Sequence, residues 1–141
     1  MYPFIQQFHS GLAYLVLLLL VVAILNSLRG MSSKKEFTSS DRKIALFALI
    51  VSHIQLVIGL ILYFVSPVGK AALGMMSDSN LRLTALEHPL INIIAIVLIT
   101  IGWSKHKKAI LSTAKFKAIA VFFGLGFVLI LSRIPWSLWF N

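Results

Sequence analysis

The chain has 141 residues, of which 59% are hydrophobic and 12% charged, with a mean hydropathy of +0.94. A soluble domain is roughly half apolar and a quarter charged, so most of this surface must meet lipid rather than water. The net charge of +9 does not point to nucleic acid, because the basic residues lie in short clusters between apolar segments, as loops held on one membrane face do. With no cysteine, disulfides, thiolate metal sites and iron–sulfur clusters are excluded.

Residues 1–10, MYPFIQQFHS, carry no Lys or Arg and no small-residue cleavage signal. The apolar segment that follows is therefore expected as a retained helix over about residues 8–28. Crossing a hydrocarbon core of ~30 Å takes about 20 helical residues. A polar loop, Arg29 to Lys43, holds five basic residues, and Ser39 or Ser40 is placed to cap the next helix, with Asp41 favouring its positive end. The second span is expected over 44–65, stopped by Ser66-Pro67-Val68-Gly69. Thr84-Ala85-Leu86-Glu87 has capping-box spacing, which puts the third span at 85–103 and Pro89 in or near its first turn, where proline is tolerated. Ser104 to Lys117 is a second strongly basic loop, expected to carry His106 into water or headgroups. The fourth span is expected over 117–134, ending in the aromatic stretch Pro135 to Phe140.

Charge sets the orientation. The first and third loops hold ten Lys and Arg against three elsewhere, so the positive-inside rule puts both loops in the cytoplasm and both termini outside. Short connections favour an all-α, up-down-up-down four-helix bundle, a single integral membrane domain over residues 1–141. For a bacterial chain that means a multi-pass inner-membrane protein with periplasmic termini.

Orientation converts sequence offsets into depth. His9 precedes Asn26, at the inner end of the first span, by 17 residues, and His88 precedes Trp103 by 15. Both then sit roughly 23–26 Å above the inner boundary. The first and third helices of such a bundle are diagonal, so two level imidazoles can face each other across the core. Bundle cores hold cofactors in this way, and two imidazoles are a strong axial pair for haem iron that leaves no open position. One haem b is the expected cofactor, with His9 and His88 as its metal ligands. His53 lies 9 residues past Ile44, roughly 10 Å lower, as a lower-pocket residue, a quinone contact or a ligand to something else. His53, Ser52 and Gln55 are polar in mid-span, which seldom means facing lipid; a purely structural interhelical hydrogen bond also accounts for them. Gly59 lies on the face of Gln55, where it admits a macrocycle or a neighbouring helix. Arg133 near the outer end is placed to neutralise a haem propionate, with Lys70 and Arg82 as alternatives, or to act as an interfacial anchor.

Phe8-His9-Ser10-Gly11, Asp41-Arg42-Lys43, His53 to Leu60, Tyr63 to Pro67, Glu87-His88 and Ile134-Pro135-Trp136 together resemble the small four-helix membrane proteins of Bacteroidetes-type bacteria known as cytochrome B. The resemblance runs over nearly the whole chain and implies haem binding more than any defined reaction. A more distant similarity is to one four-helix half of haem A synthase, in which a His on the first helix, a Q-x-x-x-G second helix and a His on the third surround a b-type haem. Here His9, Gln55 with Gly59, and His88 match those positions. That enzyme has a Glu four residues before its first-helix His; this chain has Ile5, so the carboxylate of the hydroxylation chemistry is missing.

The leading expectation is a b-type cytochrome, more an electron carrier than a catalyst, exchanging electrons with quinol or a periplasmic carrier. One rival is a haem-free structural or assembly subunit bound to other membrane subunits. The other is a quinol-oxidising or haem-modifying enzyme, for which Glu87 or His53 would have to accept a proton.

Overall fold

The computed structural model describes residues 1–140. Four helices are long and apolar enough to cross a membrane: α1 (Tyr2–Ser33), α2 (Ser39–Val65), α3 (Ser79–Lys108) and α4 (Ser112–Ser132). A short α5 (Trp136–Trp139) follows. α1 packs on α2 and α4, and α3 packs on α4 and α2, so α1 and α3 are diagonal in a four-helix bundle.

The buried positions explain the packing. They fall at Val16, Leu20, Ala23, Ser27 and Gly30 on α1, at Asp41, Ala45, Ala48 and Ser52 on α2, and at Ala95, Ile99, Gly102 and His106 on α3. Steps of three and four alternate throughout, which is the seam of helices packed at a shallow angle. The opposite faces are exposed and apolar, with Leu18, Leu25, Val57, Val97 and Val128 each more than half accessible. Such stripes on all four helices fit lipid contact and no aqueous surface; the chain is a multi-pass membrane protein.

The helix ends depart from the sequence expectation. α1 begins at Tyr2 and runs to Ser33, where Lys34 turns the chain out with φ 52°, so His9 lies two turns inside the helix rather than in its first turn. Thr38, not Ser39 or Ser40, caps α2, in a box with Asp41. That carboxylate also accepts from Asn26 and Lys35, tying the end of α1 to the start of α2. The third helix starts at Ser79, with Asp78 accepting from the N–H groups of Asn80 and Leu81. The capping box expected at Thr84 does not form: the Thr84 hydroxyl bonds to Asn80 and Leu81 carbonyls, and Glu87 pairs with Arg82 at 3.6 Å. Pro89 is therefore deep in a helix, where its ring clashes with the carbonyl four residues back. A π turn over Leu83–Glu87 widens the helix just ahead of it, with the His88 N–H bonding back to Leu83.

His106 is also placed differently. It is 2% exposed, its Nδ1 donates to the Trp103 carbonyl at 2.6 Å, and its ring packs on Trp103 and Phe37 at 4.4 and 5.4 Å between centroids. The reason is long-range. The connection after α1 folds back beneath the bundle, where the Phe37 N–H reaches Ser112 and its ring meets the buried Phe116.

Candidate functional site

Below the level of Ser52 the bundle is filled with side chains. Above it the helices part around a cavity of about 190 Å³, lined by His9 and Gln55, by Gly59 and Tyr63, and by His88 and Asn92 among others. The structure brings His9 and His88 together across it, with ring centroids 6.3 Å apart and ring planes at 89°. The equal rise of two helices running the same way makes this meeting possible.

The His88 ring is oriented from behind. His88 Nδ1 lies 2.8 Å from the Arg133 carbonyl, a group that can only accept, so Nδ1 carries the proton and Nε2 keeps its lone pair. That carbonyl is available because α4 has ended at Ser132 and has no further turn to bond it. Asn92, four residues after His88, bonds to the His88 carbonyl at 2.7 Å and lies 3.2 Å from Nδ1. The i, i+4 spacing made Asn92 findable from the sequence, and it was missed. On the opposite side Gln55 donates to the His9 carbonyl at 2.9 Å. His9 Nδ1 and Gln55 Oε1 are both buried and have no partner among the described residues. No hydrogen bond among the described residues fixes the tautomer of His9.

Gly59 forms the seat of the His9 ring. A Cβ there would stand 3.0 Å from His9 Cε1, tighter than a real contact allows without movement. Gly59→Ala should displace the ring by a few tenths of an ångström, and Gly59→Val should drive it from the cavity. Loss of any bound cofactor in the valine variant, with the helical circular dichroism unchanged, is the expected readout.

The other expected site residues separate. His53 does not line the cavity; its Nδ1 bonds to the Leu49 carbonyl at 2.8 Å and its Nε2 lies 3.2 Å from the Thr100 hydroxyl. It joins α2 to α3, and Thr100 as its partner was not anticipated. His53→Ala should therefore lower thermal stability while leaving cofactor content intact, measured on the same purified samples. Arg133 contributes its backbone, and its guanidinium bonds to the Ser132 carbonyl. Lys70 lies over the Phe64 ring, and Arg82 is held by Glu87 and the Met76 carbonyl. Among the described residues none that lines the cavity carries a fixed charge.

The residues present suit a metal held between two imidazoles. Two rings bound to one metal from opposite sides place their centroids roughly 6–6.5 Å apart, from metal–nitrogen bonds of about 2 Å plus half a ring each. An edge-on contact of two neutral rings spans the same distance and leaves His9 Nδ1 buried without a partner among the described residues. No group of three or more His, Cys, Asp or Glu residues able to hold a bare metal ion occurs among the described residues. A macrocycle supplies the remaining ligands where a protein offers two.

Fold and site define a class: a four-span helical membrane protein with a facing pair of histidines near one end of its bundle. Compared with family models, with curated proteins and with solved structures, the chain matches none.

Proposed function

We propose that the chain is a membrane b-type cytochrome that carries electrons, with His9 and His88 holding one haem b. The observation that carries this reading is the pair itself, two imidazoles at ligating separation on diagonal helices. Haem held by His9 and His88 would supply a one-electron couple. The chain's own part is to fix the ligands. The Arg133 carbonyl holds His88 in one tautomer and orientation, and Asn92 bonds the His88 backbone carbonyl. The π turn precedes His88 on α3, Gly59 leaves room for the His9 ring, and Gln55 bonds the His9 backbone carbonyl. A ring partner such as the Arg133 carbonyl raises ligand basicity, and losing one typically costs about 10–100-fold in metal affinity. The enclosed space, about 190 Å³, is below the roughly 300–1,000 Å³ of sites that wrap a ligand fully. A porphyrin on this pair would extend between the helices toward lipid.

The neutral wall of the cavity favours a second reading, a haem-free subunit whose histidines only hydrogen-bond, since the haem carboxylates would find no cation inside it. One experiment separates the two. The detergent-purified protein, expressed with adequate haem supply, should show a b-type pyridine haemochrome spectrum at one haem per chain. A folded, colourless sample would refute the proposal.

The same reading puts the pair toward the periplasmic face of a bacterial inner membrane, with quinol or a periplasmic carrier as the redox partner. Reporter fusions after Lys34 and Lys108 should read cytoplasmic and a fusion after Ser77 periplasmic, because the basic residues concentrate in the first and third loops. The opposite pattern would place the pair, and its partner, on the cytoplasmic side.

A further inference from the structure

At the opposite end of the bundle from the histidine pair, a second concavity lies between the first loop, the start of α2, the end of α3 and the start of α4. Its walls include Thr38, Ser39, Arg42, His106, Lys107 and Lys115. We propose that this cleft is a binding site for a phosphate-bearing anion, of the kind presented by an acidic phospholipid headgroup.

Three observations carry the inference. The first is uncompensated charge. Arg42, Lys107 and Lys115 converge here, and among the described residues none of them forms an ion pair. No carboxylate lines the cleft; the nearby Asp41 is already taken by Lys35, Thr38 and Asn26. The second is that two of the cations are held in place. The Arg42 guanidinium lies over Trp103 at 5.2 Å. Lys115 lies over Phe37 at 5.9 Å and donates to the His106 carbonyl at 3.0 Å. Cations fixed before binding lose less rotamer freedom when an anion arrives.

The third is His106. The ring is 2% exposed and clasped by two aromatic rings, with Nδ1 spent on Trp103. Its Nε2 has no hydrogen-bond partner among the described residues. That nitrogen is not among the buried unpartnered atoms, so it keeps access to solvent from a ring that is otherwise enclosed, and the histidine pair above makes no use of it. With Nδ1 donating to Trp103, Nε2 keeps its lone pair and can accept from a hydroxyl of a phosphoglycerol headgroup or of a protonated phosphate, beside the Ser39 hydroxyl, which can donate to a phosphate oxygen. The location suits the chemistry, because the cleft sits among the basic loops, at the level where a bilayer presents its headgroups.

A basic membrane face also attracts acidic lipid without any site, at about 1 kcal/mol per Lys or Arg, so the test compares variants of equal charge. Lys107→Ala/Lys115→Ala removes two cleft cations, and Lys34→Ala/Lys117→Ala removes two from the same loops outside it. The full chain in detergent is titrated with phosphatidylglycerol or phosphatidylcholine, and bound lipid is counted by native mass spectrometry. The unaltered chain should retain phosphatidylglycerol over phosphatidylcholine. The cleft variant should lose at least tenfold in affinity and the control variant less than twofold. Equal losses in the two variants, or equal retention of the two lipids together with no response to inorganic phosphate, would overturn the proposal. His106→Gln, which keeps a polar group at that wall but gives up the ring packing on Trp103 and Phe37, should lower the melting temperature and also weaken binding of phosphatidylglycerol more than of phosphatidylcholine. Nitrogen-15 resonances of His106 distinguish the source: a shift with millimolar inorganic phosphate marks a site for free phosphate, and one with phosphatidylglycerol alone marks a headgroup site. The spectrum of any bound haem should be the same in all these variants, so the test stands apart from the assignment of the histidine pair.

Discussion

Replacing either His9 or His88 with alanine should remove the low-spin haem signal, the largest functional effect expected of any single change. On the proposed assignment one imidazole would remain to hold the iron, and electron paramagnetic resonance should show high-spin iron or none. Outright loss of haem is a real outcome, because each ring both contributes affinity and locks the macrocycle between diagonal helices. The two variants should agree, since the rings face each other across one cavity. His53→Ala is the internal control, being bonded to Thr100 away from the cavity. Low-spin haem persisting in both His9→Ala and His88→Ala would rule the ligand assignment out.

The largest structural effect is expected at the seam between α3 and α4. A Cβ on Gly126 would stand 2.7 Å from Ile99 Cγ1 and 3.0 Å from the Ala95 carbonyl oxygen; one on Gly102 would stand 2.6 Å from Phe122 Cβ and 3.1 Å from the Ala118 carbonyl oxygen. Because backbone as well as side chain is in the way, no rotamer change relieves the contact and the helices must separate. Overpacking of this kind costs about 1–3 kcal/mol, occasionally more. Gly126→Leu and Gly102→Leu should each lower the detergent melting temperature sharply. By moving α4 they should also loosen the Arg133–His88 hydrogen bond. Gly124, two residues from Gly126, has nothing within 4 Å of its would-be Cβ. Gly124→Ala should be neutral or stabilise by up to ~1 kcal/mol through helix propensity. Equal melting temperatures for Gly124→Ala and Gly126→Leu would show that the seam is not close-packed.

The four helices were legible in the sequence because lipid imposes a long apolar run on every span, and charge in the loops marks where each run stops. The level of His9 and His88 was legible for a related reason. A helix has a fixed rise, so two offsets from marked ends become two depths. What stayed hidden depended on contacts between distant segments. Thr84-Ala85-Leu86-Glu87 has the spacing of a helix start, yet Asp78 caps the chain earlier and the helix runs straight through it. His106 sits among lysines in the sequence, and only the fold-back of Phe37 encloses it. The group that orients His88 is the backbone carbonyl of Arg133; side-chain identity is silent about where a helix end will fall against a neighbour. Thr100 beside His53 is hidden in the same way, since no local pattern links α2 to α3 at that level.

The π turn above His88 has a genetic consequence. A π turn holds one residue more than the α-helical turn it replaces, so it is what a single inserted codon leaves behind in a helix. Everything on its N-terminal side, including the Asp78 cap and Arg82, is turned by about 100° relative to an uninterrupted helix. Everything from His88 onward keeps its register with the bundle. The segment facing outward from the membrane can thus gain or lose a residue within Leu83–Glu87 without re-aiming the imidazole below it. Natural variation in length is therefore expected to collect in that turn and in the stretch before it, and to be absent between His88 and Trp103.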